Sequence, residues 1–506
     1  MRTFRGLLLC ACAALAFVAT GTARGALDVG VTEDTGKGPG ATFFGTLHDI
    51  GLRLNRVSVN WDPRTPTTIP QQAEVQAWLP QAQSTGTRIV FAVAPLRARD
   101  LTDSPAGKAQ FAAFVRKLAQ TFPRVKDYVI GNEPNVNRFW RPQFSPSGKA
   151  ISAATYEPVL AASYDALKSV DPSITVIGIG LSPRGNDNPR AEDNPSRSPV
   201  RFLRDLGAAY RASGRTTPLM DELAFHPYPA RNIDSPKVGY AWPNAGLPNL
   251  GRIKQAVWDA FHGTAQPTFA ERGNRFARPM GLDLDEVGWQ VAPLPALANL
   301  YYGKETGPTV SEQTQADYYR DVITSTECDL SVRMLSFFHL VDERDLDRWQ
   351  SGLERADGSH RPAYDAVKST LAQTQGKCQG RPVKWRHTTA VVKPVALWGK
   401  LRKPQPVKRA RWSFKAGAGE EATYRAGIFK ASPKKRVIAK RLAKGRPKPL
   451  LFSRGKIKAK KRVVYFPRHR FKPGKYVYAI RMSATMNPKR VSVLVSRPFR
   501  VVRARK

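Results

Sequence analysis

Acidic residues are almost missing from the last quarter of this 506-residue sequence. Residues 381–506 hold 39 Lys and Arg against two acids, Glu420 and Glu421, so +37 of the formal +41 lies there and the rest of the chain is nearly balanced. A break that sharp marks a domain boundary near residue 380. Cysteine is scarce as well, with four in the whole chain. There is no C-x-x-C and the seven histidines are scattered. A zinc site of the usual spacing is thereby excluded, and no metal or organic cofactor is expected. No apolar run is long enough to span a bilayer stably. The turn after the first apolar run, "VTEDTGKGPGATFF", has glycines but neither G-x-G-x-x-G nor G-K-[ST]. An open doubly wound sheet, which usually carries such a phosphate loop, is therefore the weaker of two readings for the long N-terminal part.

Among what is present, the first residues have the three-part pattern of a secretory signal peptide over 1–25: a short basic start, an apolar run from Gly6 to Val18, and small residues through "ATGTARGA". Cleavage is expected near Ala23 or Gly25. A lipoprotein signal at Cys10 or Cys12 fits less well, because "LLLC" and "LCAC" lack the usual pairing of small residues. Cys328 and Cys378 would remain in a secreted, envelope-associated chain, where an isolated pair is most simply a disulfide; two free thiols are the alternative.

Between residues 27 and 375 eight short apolar runs alternate with amphipathic segments. The runs are "LDVGVTED", "NRVSVNWD", "TRIVFAVAP", "VKDYVIGNEP", "ITVIGIGLSP", "ELAFHPYP", "MGLDLDEVGW" and "RMLSFFHLVDE". Most are continuous and β-branched, as strands buried on both faces are. Segments such as "AGKAQFAAFVRKLAQTF" repeat apolar residues at three- and four-residue steps, as helices do. Eight such units predict a closed (β/α)8 barrel, a TIM barrel, over residues 26–378, with a linker over 379–390. Sites in such barrels lie where strands end. Glu133 follows the fourth run directly and Glu286 ends the seventh. A carboxylate ending a buried strand is costly unless it faces a polar cavity. Two that converge suit glycoside hydrolysis, in which one is protonated to serve the departing oxygen and the other ionised to attack the anomeric carbon. Asn132 offers a donor and an acceptor to a sugar hydroxyl, and Pro134 restricts the turn that aims Glu133. Asp285 is a rival to Glu286, but alternation along a strand predicts that only one of the two points inward. Trp61, Trp140, Trp289 and Trp349 lie just beyond strand ends and are candidate platforms for sugar rings, or ordinary loop packing. Asp342 and Glu343 could bond substrate hydroxyls or be solvated loop acids.

"GNEPN" on the fourth strand and "DEVGW" on the seventh resemble the retaining glycoside hydrolases of the large (β/α)8-barrel clan, over about residues 27–375, including bacterial cellulase-like and β-xylosidase-like members. The resemblance implies Glu133 as acid/base and Glu286 as nucleophile. It implies that Arg56 holds the nucleophile ionised and that His226 and Tyr228 contact nucleophile and substrate. "SGLERADGSHRPAYDAV" resembles the clan's usual run after the eighth strand. The eighth strand departs from the pattern: it lacks the Trp that often floors the attacked sugar's subsite. Phe337, Phe338 or His339 would have to serve, or Trp349 would fold back from the loop. The substrate implied is a polysaccharide or oligosaccharide.

From residue 391 to 506 helical patterns are absent. "VVYFPRHRFKPGKYVYAIRMSA" reads as two strands with a Pro-Gly turn, with Tyr476, Tyr478, Ile480 and Met482 on one face. A small basic all-β domain, a sandwich of the immunoglobulin or fibronectin kind, is expected. Its charge draws polyanions. Export and the lack of a binding motif argue against nucleic acid and for acidic cell-envelope polymers as partners. A merely solvated module, and a non-catalytic carbohydrate- or polyanion-binding protein on a barrel scaffold, are the alternatives. A monomer is expected.

Overall fold

The computed structural model describes residues 26–38, 42–270, 279–388, 395–397, 405–406, 410–431, 437–438, 441–442, 449–457, 462–485 and 487–503. The expected signal peptide lies outside them. Eight parallel strands close into a barrel in sequence order: β1 (Asp28–Thr32), β2 (Leu54–Trp61), β3 (Arg88–Pro95), β4 (Asp127–Ile130), β5 (Thr175–Leu181), β6 (Glu222–Phe225), β7 (Gly281–Val287) and β8 (Val332–Phe337). Each coincides with one of the eight apolar runs, β2 and β8 starting one residue before theirs. Helices α1 (Thr42–Ile50), α2 (Gln72–Ser84), α3 (Gly107–Thr121), α4 (Ser152–Val170), α5 (Pro199–Ala212), α6 (Leu250–Phe261), α7 (Glu312–Thr326) and α8 (Pro362–Thr374) follow them in turn. Cys328 and Cys378 form a disulfide with Cα atoms 4.5 Å apart, joining the chain after α7 to the chain after α8. Among the described residues no helix is long and apolar enough to cross a membrane.

The barrel interior is layered. At the starts of the strands Arg88 donates to Asp127 at 2.8 and 2.6 Å and to Asp28 at 3.0 Å. Beside them burial, and then the facing Glu222 carboxylate, push Asp283 well above the usual carboxylate range. Above this lies an apolar layer of Leu54, Val90, Ala92, Val129, Ile177, Ala224 and Met334. The inward residues that follow, at the strand ends, are polar and form the candidate site.

The C-terminal residues form two packed sheets. One is three-stranded: β9 (Val395–Leu397), β11 (Ala410–Gly417) and β14 (Arg462–His469). The other joins β10 (Gln405–Pro406), β12 (Ala422–Lys430), β13 (Leu451–Ile457), β15 (Gly474–Ala484), β16 (Val491–Val495) and β17 (Phe499–Val502). Tyr476, Tyr478, Ile480 and Met482 share the buried face as expected, and Phe414 of the smaller sheet meets Tyr478 at 5.3 Å. Two features differ from the sequence reading. β14 and β15 are not partners: the chain around Pro473 and Gly474 passes from one sheet to the other, because both strands bury apolar side chains in the space between the sheets. Residues 437–438 and 441–442 are helical, and Ile438 and Leu442 cover Phe429, Val477 and Ala479.

The two acids of this region are both committed. Glu420 bonds Arg490, which also reaches Asp259 of α6 at 3.1 Å, and all three side chains are buried. Glu421 meets Arg201 of α5 at 3.5 Å. Residues before β9 run along α6, where the Trp258 ring is stacked between His262 and His387, each at 4.0 Å. Removing Arg490 leaves two buried carboxylates facing each other without a counter-charge. Arg490→Ala is therefore expected to cost about 3–5 kcal/mol, read as a lowered denaturant midpoint; a loss within about 0.5 kcal/mol would show the cluster to be idle.

Candidate active site

Glu133 enters the barrel mouth through a bend. β4 stops at Ile130, and Gly131 takes a φ of 93°, which a side chain disfavours. A Cβ there would also lie 3.0 Å from the Tyr156 ring. The Glu133 amide then donates to the Gly180 carbonyl of β5 at 2.8 Å. Asn135 is buried; its side chain accepts from the Ser182 amide at 3.0 Å and donates to the Arg197 carbonyl at 2.9 Å. In "GNEPN" the glycine makes the bend and the second asparagine fixes the loop, so the carboxylate between them has one direction to point.

Arg56, buried at the centre of β2, donates to Glu286 at 3.0 Å and to the Asn132 side-chain oxygen at 3.2 Å, and its Nε lies 2.9 Å from Asp285. Tyr228 donates to the other Glu286 oxygen at 3.2 Å. His226 Nδ1 lies 3.0 Å from Glu133 and 3.5 Å from Glu286, and its Nε2 lies 3.3 Å from Asp285. Because one nitrogen touches both glutamates, the facing oxygens are at most 6.5 Å apart, the sum of those two distances. Burial works to lower His226, but Glu286, Asp285 and Glu133 outweigh it and raise it to about 10. Its charge therefore persists through neutral pH, and its ion pairs stabilise the fold fully below about 6.5 and are lost as pH climbs towards 10. Burial, then Glu286 and Glu133, hold the Tyr228 hydroxyl well above its ordinary value, so it stays a donor.

Six of the sequence-predicted residues thus meet: Glu133, Glu286, Asn132, Arg56, His226 and Tyr228. Three tryptophans do not. Trp61 packs edge-on against Phe111, Trp140 against Tyr156, and Trp289 against Tyr318 and Tyr319. All three are buried with their indole N–H groups bonded to Pro66, Thr155 and Asp234, and no ring face is open to a sugar. Trp349 alone is half-buried, and it folds back from the loop after β8 to lie 4.7 Å from the Tyr228 ring. Phe338 meets both rings edge-on, whereas Phe337 is buried against Tyr319. His339 donates to the Thr32 carbonyl at 2.8 Å. Asp342 is buried and accepts from Arg361 at 2.6 Å and from Tyr301 at 2.8 Å. Glu343 accepts from the Trp349 amide at 3.0 Å and so holds the loop.

The expectation that only one of Asp285 and Glu286 points inward does not hold. The β7–β8 register shifts between Leu284 and Val287, and this irregularity lets both acids reach Arg56. Glu33 was absent from the sequence reading. Its carboxylate accepts four backbone N–H groups, from Asp34, Thr35, Leu340 and Val341, and ties the ends of β1 and β8 together. Its only signal was an acid at the end of the first apolar run.

No protein-family model matches the chain, and no curated protein matches it in sequence. In chain path it is similar to a family 39 glycoside hydrolase from the gut symbiont Bacteroides cellulosilyticus WH2, at 14% identity and a TM-score of 0.48 over 88% of this chain and 81% of that one. It is also similar to a monomeric beta-xylosidase from Caulobacter crescentus CB15, at 13%, 0.44, 91% and 96% respectively. A glucosidase from Croceicoccus marinus gives 12%, 0.44, 88% and 96%. At these values the likeness is one of chain path, and the site is read from its own residues.

Gly131→Ala is expected to cost about 2 kcal/mol, because both the positive φ and the Tyr156 contact oppose a methyl group. Chemical denaturation checks this; an unchanged midpoint would show that the bend tolerates a side chain.

Proposed function

We propose that the protein is a secreted retaining glycoside hydrolase acting on the β-linked bonds of an oligo- or polysaccharide. The reading is carried by two glutamates that share one histidine nitrogen yet differ in every other partner. Glu286 accepts from Arg56 on one oxygen and from Tyr228 on the other, a pair of donors that suits a nucleophile. Among the described residues Glu133 has no arginine partner, and the His226 imidazole lies 3.0 Å from it. Glu286 attacks the anomeric carbon as the glycosidic C–O bond breaks, and Glu133 gives its proton to the departing oxygen. Water then attacks the same carbon, Glu133 takes the water's proton, and the bond to Glu286 breaks. The closeness of the carboxyl groups supports retention, because inversion needs room for a water between them. The Trp349 and Phe338 rings, beside Tyr228, offer the apolar surface on which a sugar ring stacks.

Glu286→Ala should abolish turnover, and azide should restore it with an α-glycosyl azide as product, since the anion fills the cavity and attacks the face the carboxylate left. Glu133→Ala should spare activated aryl glycosides more than natural substrates. Equal losses at both positions on every substrate would refute the separate roles.

His226 faces both glutamates, and its charge is lost only as pH climbs towards about 10. His226→Asn should therefore destabilise the fold most near pH 6 and less towards pH 10, read as denaturant midpoints across that range; a loss independent of pH would show that the imidazole is not held charged.

A further inference from the structure

The larger C-terminal sheet carries an arginine on each of three adjacent strands at one register position. Arg425 of β12 lies directly opposite Arg454 of β13 on one side and Arg481 of β15 on the other. Alternation turns all three away from the sandwich core, which takes their neighbours Tyr424, Ala426, Ile480 and Met482. Adjacent strands are about 4.8 Å apart, so the three cations recur at that pitch. Like charges directly opposite destabilise a sheet, and Arg481 is held below its ordinary value by burial and then by Arg425. None of the three forms an ion pair among the described residues, since Glu420 and Glu421 are taken by Arg490 and Arg201. Two residues along the strands, exposed Lys456 and Thr423 face each other and add a fourth cation and a hydroxyl, while Ser483, opposite Thr423 on the other side, is buried and accepts from Arg481 at 2.8 Å.

We propose that this row docks an acidic polysaccharide of the uronan class, laid across the strands with its carboxylates on the guanidinium groups. The planar guanidinium fork matches a carboxylate with two parallel hydrogen bonds. A sugar unit in an extended uronan is comparable in length with the strand spacing, so successive units can meet successive strands. The flanking Thr423 hydroxyl suits a remaining sugar hydroxyl. Duplex DNA places charge about every 3.4 Å along each strand, a closer pitch than the row. Single-stranded nucleic acid is held by stacked aromatics, and the row itself has none. Binding would also relieve the repulsion that the empty row carries. The proposal is independent of the hydrolase reading, since its test reads binding alone.

The test uses the full chain on immobilised polygalacturonate across a salt series. Arg425→Gln/Arg454→Gln/Arg481→Gln is compared with Lys415→Gln/Lys472→Gln/Arg497→Gln, which removes the same charge from exposed positions elsewhere on the region. The row variant should lose about tenfold or more in affinity and the control less than about threefold. Without polymer, the row variant should unfold no earlier than the parent, which also shows that it is folded. Equal losses in both variants would overturn the site in favour of diffuse charge. Uronan binding that survives while binding to duplex DNA or phosphatidylserine vesicles falls would overturn the ligand class.

Discussion

A buried guanidinium organises the mouth of the barrel. Arg56 stands on β2, yet its three nitrogens reach Glu286 and Asp285 on β7 and Asn132 beyond β4. An arginine at that depth is tolerable only with its charge matched and its N–H groups bonded. Its acid partners are equally dependent on it, since burial alone would raise Asp285, whereas His226 and Arg56 hold it low. His226 repeats the arrangement from β6 by facing Asp285 with one nitrogen and both glutamates with the other. The carboxylates, the arginine and the histidine are thus mutually required, and none can move without leaving another unpaired.

Within that network two residues of one type have different surroundings. A fixed cation and a phenol hold Glu286, while a titratable ring faces Glu133. Environments that separate like groups are what acid–base chemistry at one pH demands. The ring that lies against Tyr228 comes from a loop. Trp349 reaches Tyr228 because Glu343 accepts its amide. A strand position would be more rigid, so the loop's own hydrogen bonds carry the burden of placing the ring.

The C-terminal region answers a different constraint. With 39 bases and two acids it cannot neutralise itself, and both acids are spent on contacts that join it to α5 and α6. The surplus is left on outward faces. Where sheet pairing brings three of those arginines into one line, the repulsion is a property of register and not of composition.

The eight strands were legible in the sequence because a parallel barrel strand is buried on both faces and must be continuously apolar. Glu133 and Glu286 were legible for the converse reason: an acid at the end of such a run needs a polar cavity to face. The disulfide was legible because Cys328 and Cys378 are the only cysteines beyond the first 25 residues of the sequence, so each has one possible partner there. Asp285 was misjudged because alternation holds only along a regular strand, and the register shift beside it depends on pairing with β8, some 50 residues away. The tryptophans could not be sorted by position. Trp61, Trp140 and Trp289 follow strands as Trp349 does, but distant aromatic rings cover the first three. Lys and Arg runs announced the charge of the last quarter, yet Arg425, Arg454 and Arg481 are far apart along the chain and in no common motif. Composition and periodicity are local properties of a chain and determine burial and element type; which side chains meet is decided by non-local pairing and packing, and only the folded structure holds that information.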